Sequence, residues 1–345
     1  MQVAPGVFQF KVPMPSNPLI PGGGIRYTLV YLVSAPLDRW VIIDAGMNSD
    51  EGFSALKEQL IQSGITPSDV VINLITHIHP DHSGLANRLK ELTGAPIAMH
   101  KLDTPGRNES SSWWHNSNQA VRRKQLKSLG FPSHELNEAQ SHGQRTPKSD
   151  PDKNAWAPPE VDIQLDGGEE LLPSSGLWTM WTPGHTDGHL CVYDMTRRLF
   201  FSGDHVLPTI TPHVSLSLGE KGDPLGRFIE ALGYVRNLDV ETVCPAHEYT
   251  FPDLHSRVDE VLSHHSDRFE EIYDQLAKGP RTPYQISAGI KWNVAPWAEL
   301  HPSTKRMALM ETVAHLKYME GTGQVSRNDS GDLVFYEKAA TAKLS

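Results

Sequence analysis

Cysteine is scarce in this chain: Cys191 and Cys244 are the two present in 345 residues. They lie far apart, each in an apolar, strand-like stretch. That excludes a disulfide framework and points to buried thiols in a reducing compartment. Long apolar runs are absent as well. No stretch of about 18 apolar residues occurs, so no membrane-spanning helix is expected. The opening residues, Met1-Gln2-Val3-Ala4-Pro5-Gly6, lack a charged segment followed by an apolar one. No secretory signal is read there, and a cytoplasmic location is expected. Positive charge is also in deficit. A net charge of −10 and a pI near 5.9 argue against nucleic-acid binding by bulk charge, though not against a local basic patch. The remaining composition, 38% hydrophobic and 21% charged, is ordinary for a globular protein. The length suits one large domain or two and can bury a full core without staples.

The strongest signal is Thr76-His77-Ile78-His79-Pro80-Asp81-His82. It follows Val70-Val71-Ile72-Asn73-Leu74-Ile75, a short β-branched run that reads as a buried strand. Leu85, Leu89 and Leu92 then keep helical spacing up to Gly94. The cluster therefore occupies a loop between strand and helix, where several side chains can turn toward one point. Imidazole nitrogen and carboxylate oxygen are ligands that zinc and similar divalent ions accept. A lone histidine is usually a surface or satisfied core residue. Seventeen histidines would scatter some pairs by chance, but an H-x-H-x-D-H cluster at a strand end is not expected from scatter.

The rest of the chain repeats this arrangement. Strands are expected over 7–12, 27–33 and 40–43, followed by Asp44-Ala45-Gly46. A helix capped by Ser49 or Asp50 carries Phe53, Leu56 and Leu60 and closes at Gly64. Residues 97–99 read as a short strand. From Asp103 to Glu160 aliphatics thin out, and the stretch reads as an insertion lying over the site, with a helix from about Ser117 to Leu129. Its basic cluster, Arg122, Arg123, Lys124 and Lys127, reads as a solvated helix face or as a clamp for an anionic substrate tail. Trp113 and Trp114 read as the small core of this lid. Strands are expected near 170–172, 178–181, 189–194 and 199–202, a helix over 224–237, and a strand over 240–243. Between and after them stand His185, Asp204 and His247, each behind an apolar strand.

Five histidines and two carboxylates suffice for two metal ions. One can take His77, His79 and His185; the other can take Asp81, His82 and His247; Asp204 can bridge them. Three protein donors with an open position are the pattern of catalytic rather than structural zinc. Two ions sharing a water would lower its pKa from about 15.7 toward about 7. The ligand set does not separate zinc from iron or manganese.

On these residues the chain resembles the metallo-β-lactamase superfamily. His77-Ile78-His79-Pro80-Asp81-His82, His185, Asp204 and His247 match its metal motifs in the usual order, over roughly residues 7–255. The resemblance implies an α+β fold, an αββα sandwich with the site at one edge of two sheets. Asp81 and Asp204 with five histidines place the chain beside the lactonase, glyoxalase II and nuclease-like branches. The antibiotic-hydrolysing branches usually carry Cys or another arrangement at the second ion. Asp44 resembles the family's carboxylate that orients a ligand histidine, and Thr76 and His189 suit similar positions. His205 and His213, the latter on the Pro-flanked loop after Asp204, are expected near the substrate pocket.

A second resemblance starts near His264. A helix opening with residues 265–272, a short helix after Pro283, a helix from Ser303 to Glu320 and strands around Asn328-Asp329-Ser330-Gly331 resemble the small winged-helix domain of the lactamase-β-like-2 group. The expected division is a catalytic domain at 1–255, with the insertion at about 103–160, and a winged-helix-like domain at 256–345. Winged helices often bind nucleic acid, but this segment holds 11 Lys and Arg against 12 Asp and Glu. A packing or pocket role is favoured.

Together these readings imply a dinuclear hydrolase of a small carbonyl substrate, a thioester or lactone-type ester, using a metal-bridging hydroxide, with Asp81 as the catalytic carboxylate. The alternative is a metal-dependent endoribonuclease acting on single-stranded RNA, motivated by the winged-helix resemblance and the arginines of the insertion. A metal-binding scaffold without turnover is the least favoured class.

Overall fold

The computed structural model describes residues 1–15, 24–106, 119–137, 156–216 and 222–340. Trp113, Trp114 and most of the expected lid lie outside them. In chain order the elements are β1 (Gln2–Ala4), β2 (Val7–Pro13), β3 (Tyr27–Ala35), β4 (Arg39–Ile43), α1 (Asp50–Gln62), β5 (Val70–Leu74), α2 (Pro80–Ser83), α3 (Ala86–Thr93), β6 (Ile97–His100), α4 (Gln119–Ser128), β7 (Ile163–Leu165), β8 (Leu177–Trp181), β9 (Leu190–Asp194), β10 (Leu199–Gly203), α5 (Pro224–Val235), β11 (Thr242–Pro245), α6 (Leu254–Leu276), α7 (Pro283–Gly289), α8 (Pro302–Gly321), β12 (Val325–Ser330) and β13 (Leu333–Lys338). None of the described helices is long and apolar enough to cross a membrane.

Period-two alternation builds the sandwich. Along β3, Leu29, Tyr31 and Val33 face the layer between the two sheets, while Val30 and Leu32 face α1 and α3 outside. Along β10, Leu199 and Phe201 face that middle layer and Phe200 faces the opposite outer layer. Tyr31 and Phe201 meet edge to face across it, with ring centroids 5.2 Å apart. Leu56 and Leu60 of α1, with Leu89 of α3, close one outer layer. Phe228 and Leu232 of α5, with Val258 and Val261 of α6, close the other. The result is the expected αββα arrangement of an α+β protein.

Strand direction decides where the polar loops gather. The first sheet has the order β1-β2-β3-β4-β5-β6-β7, and β4 through β7 run parallel. The second has the order β11-β10-β9-β8, with β10 parallel to β11 and antiparallel to β9, which is antiparallel to β8. The carboxyl ends of β4, β5 and β6 thus share one edge of the first sheet. Those of β8, β10 and β11 share one edge of the second.

Three local readings need correction. Residues 170–172 are not a strand; Glu170 makes a single bridge to Trp178. The three residues of β7 went unread because so short a segment carries no alternation. The helix expected to open with residues 265–272 begins at Leu254, where Asp253 accepts from Ser256 N as its cap. The position 255/256 falls in the first turn of that helix. Leu254, Val258, Val261, Leu309 and Val313 join Met180, Phe200 and Phe228 in one cluster. The C-terminal helices therefore complete the sandwich's outer layer. Past them, β12 and β13 form a hairpin over a small core of Ile272, Leu276, Leu316, Val334 and Tyr336.

Candidate metal centre

Each centre residue sits just past a strand. Asp44 follows β4, the 76–82 segment follows β5, His185 follows β8, Asp204 follows β10 and His247 follows β11. Three groups of donor atoms come within 4.8 Å of one another: His77, His79 and His185; His77, His82 and Asp204; and Asp81, His82 and His247. Asp204 spans two of the clusters. Its Oδ1 lies 3.3 Å from His247 Nε2 and 3.5 Å from His82 Nε2, while its Oδ2 lies 3.5 Å from His185 Nε2. His185 Nε2 is 2.9 Å from His79 Nδ1. Asp81 Oδ2 is 3.4 Å from His247 Nε2 and 3.7 Å from His82 Nε2.

The other nitrogen of each ring explains which atom faces inward. Asp44 Oδ2 accepts from His82 Nδ1 at 2.8 Å. Asp44 also accepts from Thr76 N at 2.9 Å and from Thr76 Oγ1. The Thr76 hydroxyl has one proton, committed to Asp44, so it accepts from His77 Nδ1 at 3.1 Å. His185 Nδ1 donates to His213 O at 2.8 Å, and His247 Nδ1 to Tyr27 O at 3.3 Å. With Nδ1 protonated, Nε2 of each ring is left as a lone-pair donor.

A test of fit follows from the unpartnered atoms. His77 Nε2, His82 Nε2, His247 Nε2 and Asp204 Oδ1 are all buried without a hydrogen-bond partner. A buried polar atom left unpaired costs about 1–3 kcal/mol. Four such atoms on residues of the same clusters suit a divalent cation. The residues present therefore fit a bound metal.

Burial and then the neighbouring imidazoles hold His77 below the ordinary histidine range; burial and then His185 do the same for His79. Both are neutral, as ligation requires. Burial acts the same way on His82, but Asp204, Asp44 and Asp81 outweigh it and raise its pKa. At His247, burial is likewise overcome by Asp204, and the pKa is pushed up to about 10. A cation held in this half would take the place of the proton on each ring nitrogen that ligates it.

Two anchors carry no motif in the sequence. Asp103, buried just past β6, accepts from Ile78 N at 3.0 Å, from Thr186 Oγ1 at 2.7 Å and from Gly188 N at 2.7 Å. It ties the backbone between His77 and His79 to the loop carrying His185. Gly188 is needed here, since a Cβ would lie 2.6 Å from Asp103 N. The available signal was the recurring pattern of a carboxylate behind a strand. Glu311, on α8, lies 3.1 Å from His213 Nδ1 through Oε2. It steadies the residue whose carbonyl holds His185, and nothing local in the sequence announces it.

Other expected residues separate. His189 is fully buried inside the sheet edge, where its Nε2 accepts from Asp204 N at 3.1 Å and its Nδ1 meets Thr182 Oγ1 at 2.8 Å. Gly203 lets that ring approach; a Cβ there would lie 2.7 Å from His189 Nε2. His213 stands beside the centre, half-buried. His205 does not line an open pocket: it is fully buried edge-on to Phe228, with ring centroids 5.0 Å apart. The short turn after β10 sends its side chain into the outer layer, and sequence adjacency to Asp204 hid that.

Residues 23–247 match the family model described as the metallo-beta-lactamase superfamily. The chain belongs to that superfamily. It is a metal-binding hydrolase of the metallo-β-lactamase fold. Among similar proteins, the probable metallo-hydrolase YqjP of Bacillus subtilis is 22% identical over 315 residues, covering 90% of this chain and 92% of its own. The acyl-coenzyme A thioesterase MBLAC2 of Homo sapiens is 27% identical over 228 residues, covering 61% of this chain and 70% of its own. The crystal structure of a metallo-beta-lactamase family protein from Thermus thermophilus matches with a TM-score of 0.75 and 26% identity, over 97% of this chain and 99% of that one.

Proposed function

We propose that this metallo-β-lactamase-fold protein is a dinuclear hydrolase of a small carbonyl substrate, a thioester first and a lactone-type ester second. One observation carries the reading: the two oxygens of Asp204 face different donor clusters, 3.5 Å from His185 on one side and 3.3 Å from His247 on the other. His77, His79 and His185 would hold one ion and Asp81, His82 and His247 the other, with Asp204 placed between the two sets. Zinc suits these ligands, as do iron and manganese. The ions would acidify a water for attack at neutral pH and polarise the carbonyl. Asp44 and Thr76 keep His82 and His77 in the ligating tautomer. Asp81, with 20% of its side chain open against 11% for Asp204, takes the proton of the attacking water and returns it to the leaving thiolate or alkoxide. The thioesterase name of MBLAC2 supports ranking the thioester first. In the same reading, the metal-binding and catalytic side chains all lie within residues 1–255, and α6 completes that unit's outer layer. Residues 256–345 are a winged-helix-like unit that supports the pocket through Glu311.

The test is a parallel assay of metal-loaded protein on an acyl thioester, several lactones and single-stranded RNA, with chelator and Asp81→Ala controls. Turnover of a thioester or lactone that both controls reduce at least about 100-fold is expected. Cleavage of RNA alone, or full activity in Asp81→Ala, would overturn the reading.

A further inference from the structure

The loop after Asp204 backs the metal centre without regular structure of its own. Leu207-Pro208-Thr209-Ile210-Thr211-Pro212-His213 forms neither helix nor strand. Its end is tied to a donor ring: His213 O accepts from His185 Nδ1 at 2.8 Å and so sets that ring's tautomer. A segment with no ladder and no helix must send its backbone groups to side chains or water. Here two side chains from beyond β11 take them. Glu248 takes donors: its Oε2 accepts from Thr209 N at 3.0 Å and from Ile210 N at 3.4 Å, and its Oε1 accepts from Thr209 Oγ1. Arg257 takes acceptors, donating to Leu207 O at 2.6 Å and to Ile210 O at 3.0 Å.

Glu248 holds a strained backbone. Its φ is +68°, in the left-handed region that costs a non-glycine residue free energy and that glycine enters freely. Glycine would suit this turn better, so the three carboxylate bonds are what offset the strain. The backbone of the same residue has a separate task. Glu248 O accepts from Tyr27 Oη at 3.1 Å, and the adjacent His247 Nδ1 donates to Tyr27 O at 3.3 Å. Both of those bonds steady His247, and neither uses the carboxylate. The carboxylate serves the loop instead. Through His213 O it reaches His185, a donor of the set formed with His77 and His79, whereas His247 belongs to the set with Asp81 and His82.

We propose that Glu248 is a positioning residue for His185: its carboxylate fixes the 207–213 loop so that His213 O keeps the His185 ring in its ligating tautomer and direction. The assignment rests on the two-ion reading above for naming the ion affected, while the tether itself is read without metal. Loss of the carboxylate weakens metal held by His77, His79 and His185 and spares metal held beside its own neighbour, His247. Adjacency in the sequence would give the opposite order. Arg257 and the Glu311–His213 pair still hold the loop, so the loss is partial.

The experiment compares the full chain as wild type, Glu248→Gly and Glu248→Gln, with His185→Ala and His247→Ala marking which donor set each ion occupies. Glycine removes the carboxylate and relieves the backbone at once. Glutamine keeps one oxygen for Thr209 N and Ile210 N and turns its amide toward Thr209 Oγ1. The readouts are thermal unfolding without metal, hydrogen exchange at the Thr209 and Ile210 amides with and without zinc, and zinc affinity by competition with a chromophoric chelator. Without metal, Glu248→Gly should unfold within about 4 °C of wild type. Its two amides should exchange roughly tenfold faster. The zinc lost in His185→Ala should be held about tenfold more weakly, and the zinc lost in His247→Ala should be held as before. Glu248→Gln, a neutral acceptor in the same place, should keep both affinities within about threefold of wild type. Faster exchange with both affinities unchanged overturns the positioning role, as does a parallel loss of metal-free stability and of both ions, or weakening of the zinc beside His247 alone. A single zinc in wild type overturns the two-ion reading. The positioning role then stands if that zinc, abolished in His185→Ala, is held about tenfold more weakly in Glu248→Gly, and falls if it is not.

Discussion

The two flanks of the metal centre are held in different ways. On the sheet side, Asp44 and Asp103 are 2% exposed and each accepts three or more hydrogen bonds, backbone N–H groups among them. On the helix side, Glu311 reaches His213 through one side-chain contact, with 19% and 34% of the two side chains open. The sheet flank is fixed by backbone, so a ligand histidine there cannot move without breaking buried bonds. The helix flank is held by this partly open pair and by the bond from Leu216 N to Met310 O at 3.3 Å. The sheet flank serves metal geometry through buried bonds, and the helix flank steadies His213 from the solvent side.

Substitutions at three positions sharpen this contrast, in decreasing order of effect. Asp44→Ala should remove the acceptor of both His82 and Thr76 and place alanine at a φ of +65°. Metal affinity and activity should fall about 10–100-fold, read by metal analysis of the purified protein and by kcat/KM. Retention of two tightly held ions in that variant would break the claim that the sheet flank sets metal geometry.

Asp103 gives the next effect, and it depends on pH. Burial pushes its pKa up to about 6, against the hydrogen bonds from Thr186, Ile78 and Gly188. An acid raised in the folded state makes folding stability fall as pH rises from its unfolded value near 4 through 6. Asp103→Asn lacks that slope. In urea unfolding, its stability relative to wild type should improve between pH 4 and pH 6 by on the order of 2–3 kcal/mol, then stay level. A pH-independent difference would show that the carboxylate is not held in this way.

The smallest effect belongs to the helix flank. Glu311→Gln should cost less than about 1 kcal/mol in stability, as expected for one partly open pair. It should change KM by a few-fold with metal content unaltered, and Glu311→Ala should do more to KM than to unfolding. Loss of metal in Glu311→Gln would place both flanks in the same class.

The ligand loops were legible because their chemistry is local. His77, His79, Asp81 and His82 lie within six positions, and Asp44, His185, Asp204 and His247 each follow an apolar strand. The alternation of β3 and β10 and the Ser49 cap were readable for the same reason: periodicity and caps act between near neighbours. Asp103 and Glu311 were not, since their partners lie 25 and 98 residues away. His205 was misplaced because adjacency to a ligand says nothing about the direction of its side chain. The start of α6 was missed because its first turns carry polar residues between the buried Leu254, Val258 and Val261, a face visible only once the second sheet is there to meet it.

The sequence by itself determined the donor set, the order in which the donors arrive and the alternation that makes two sheets, since all of these depend on short-range pattern. Only the tertiary structure decided which ring nitrogen faces the centre and which carboxylate anchors each flank. Those depend on parallel strands ending at one edge and on helices packing across long gaps in the chain, where no local pattern carries the information.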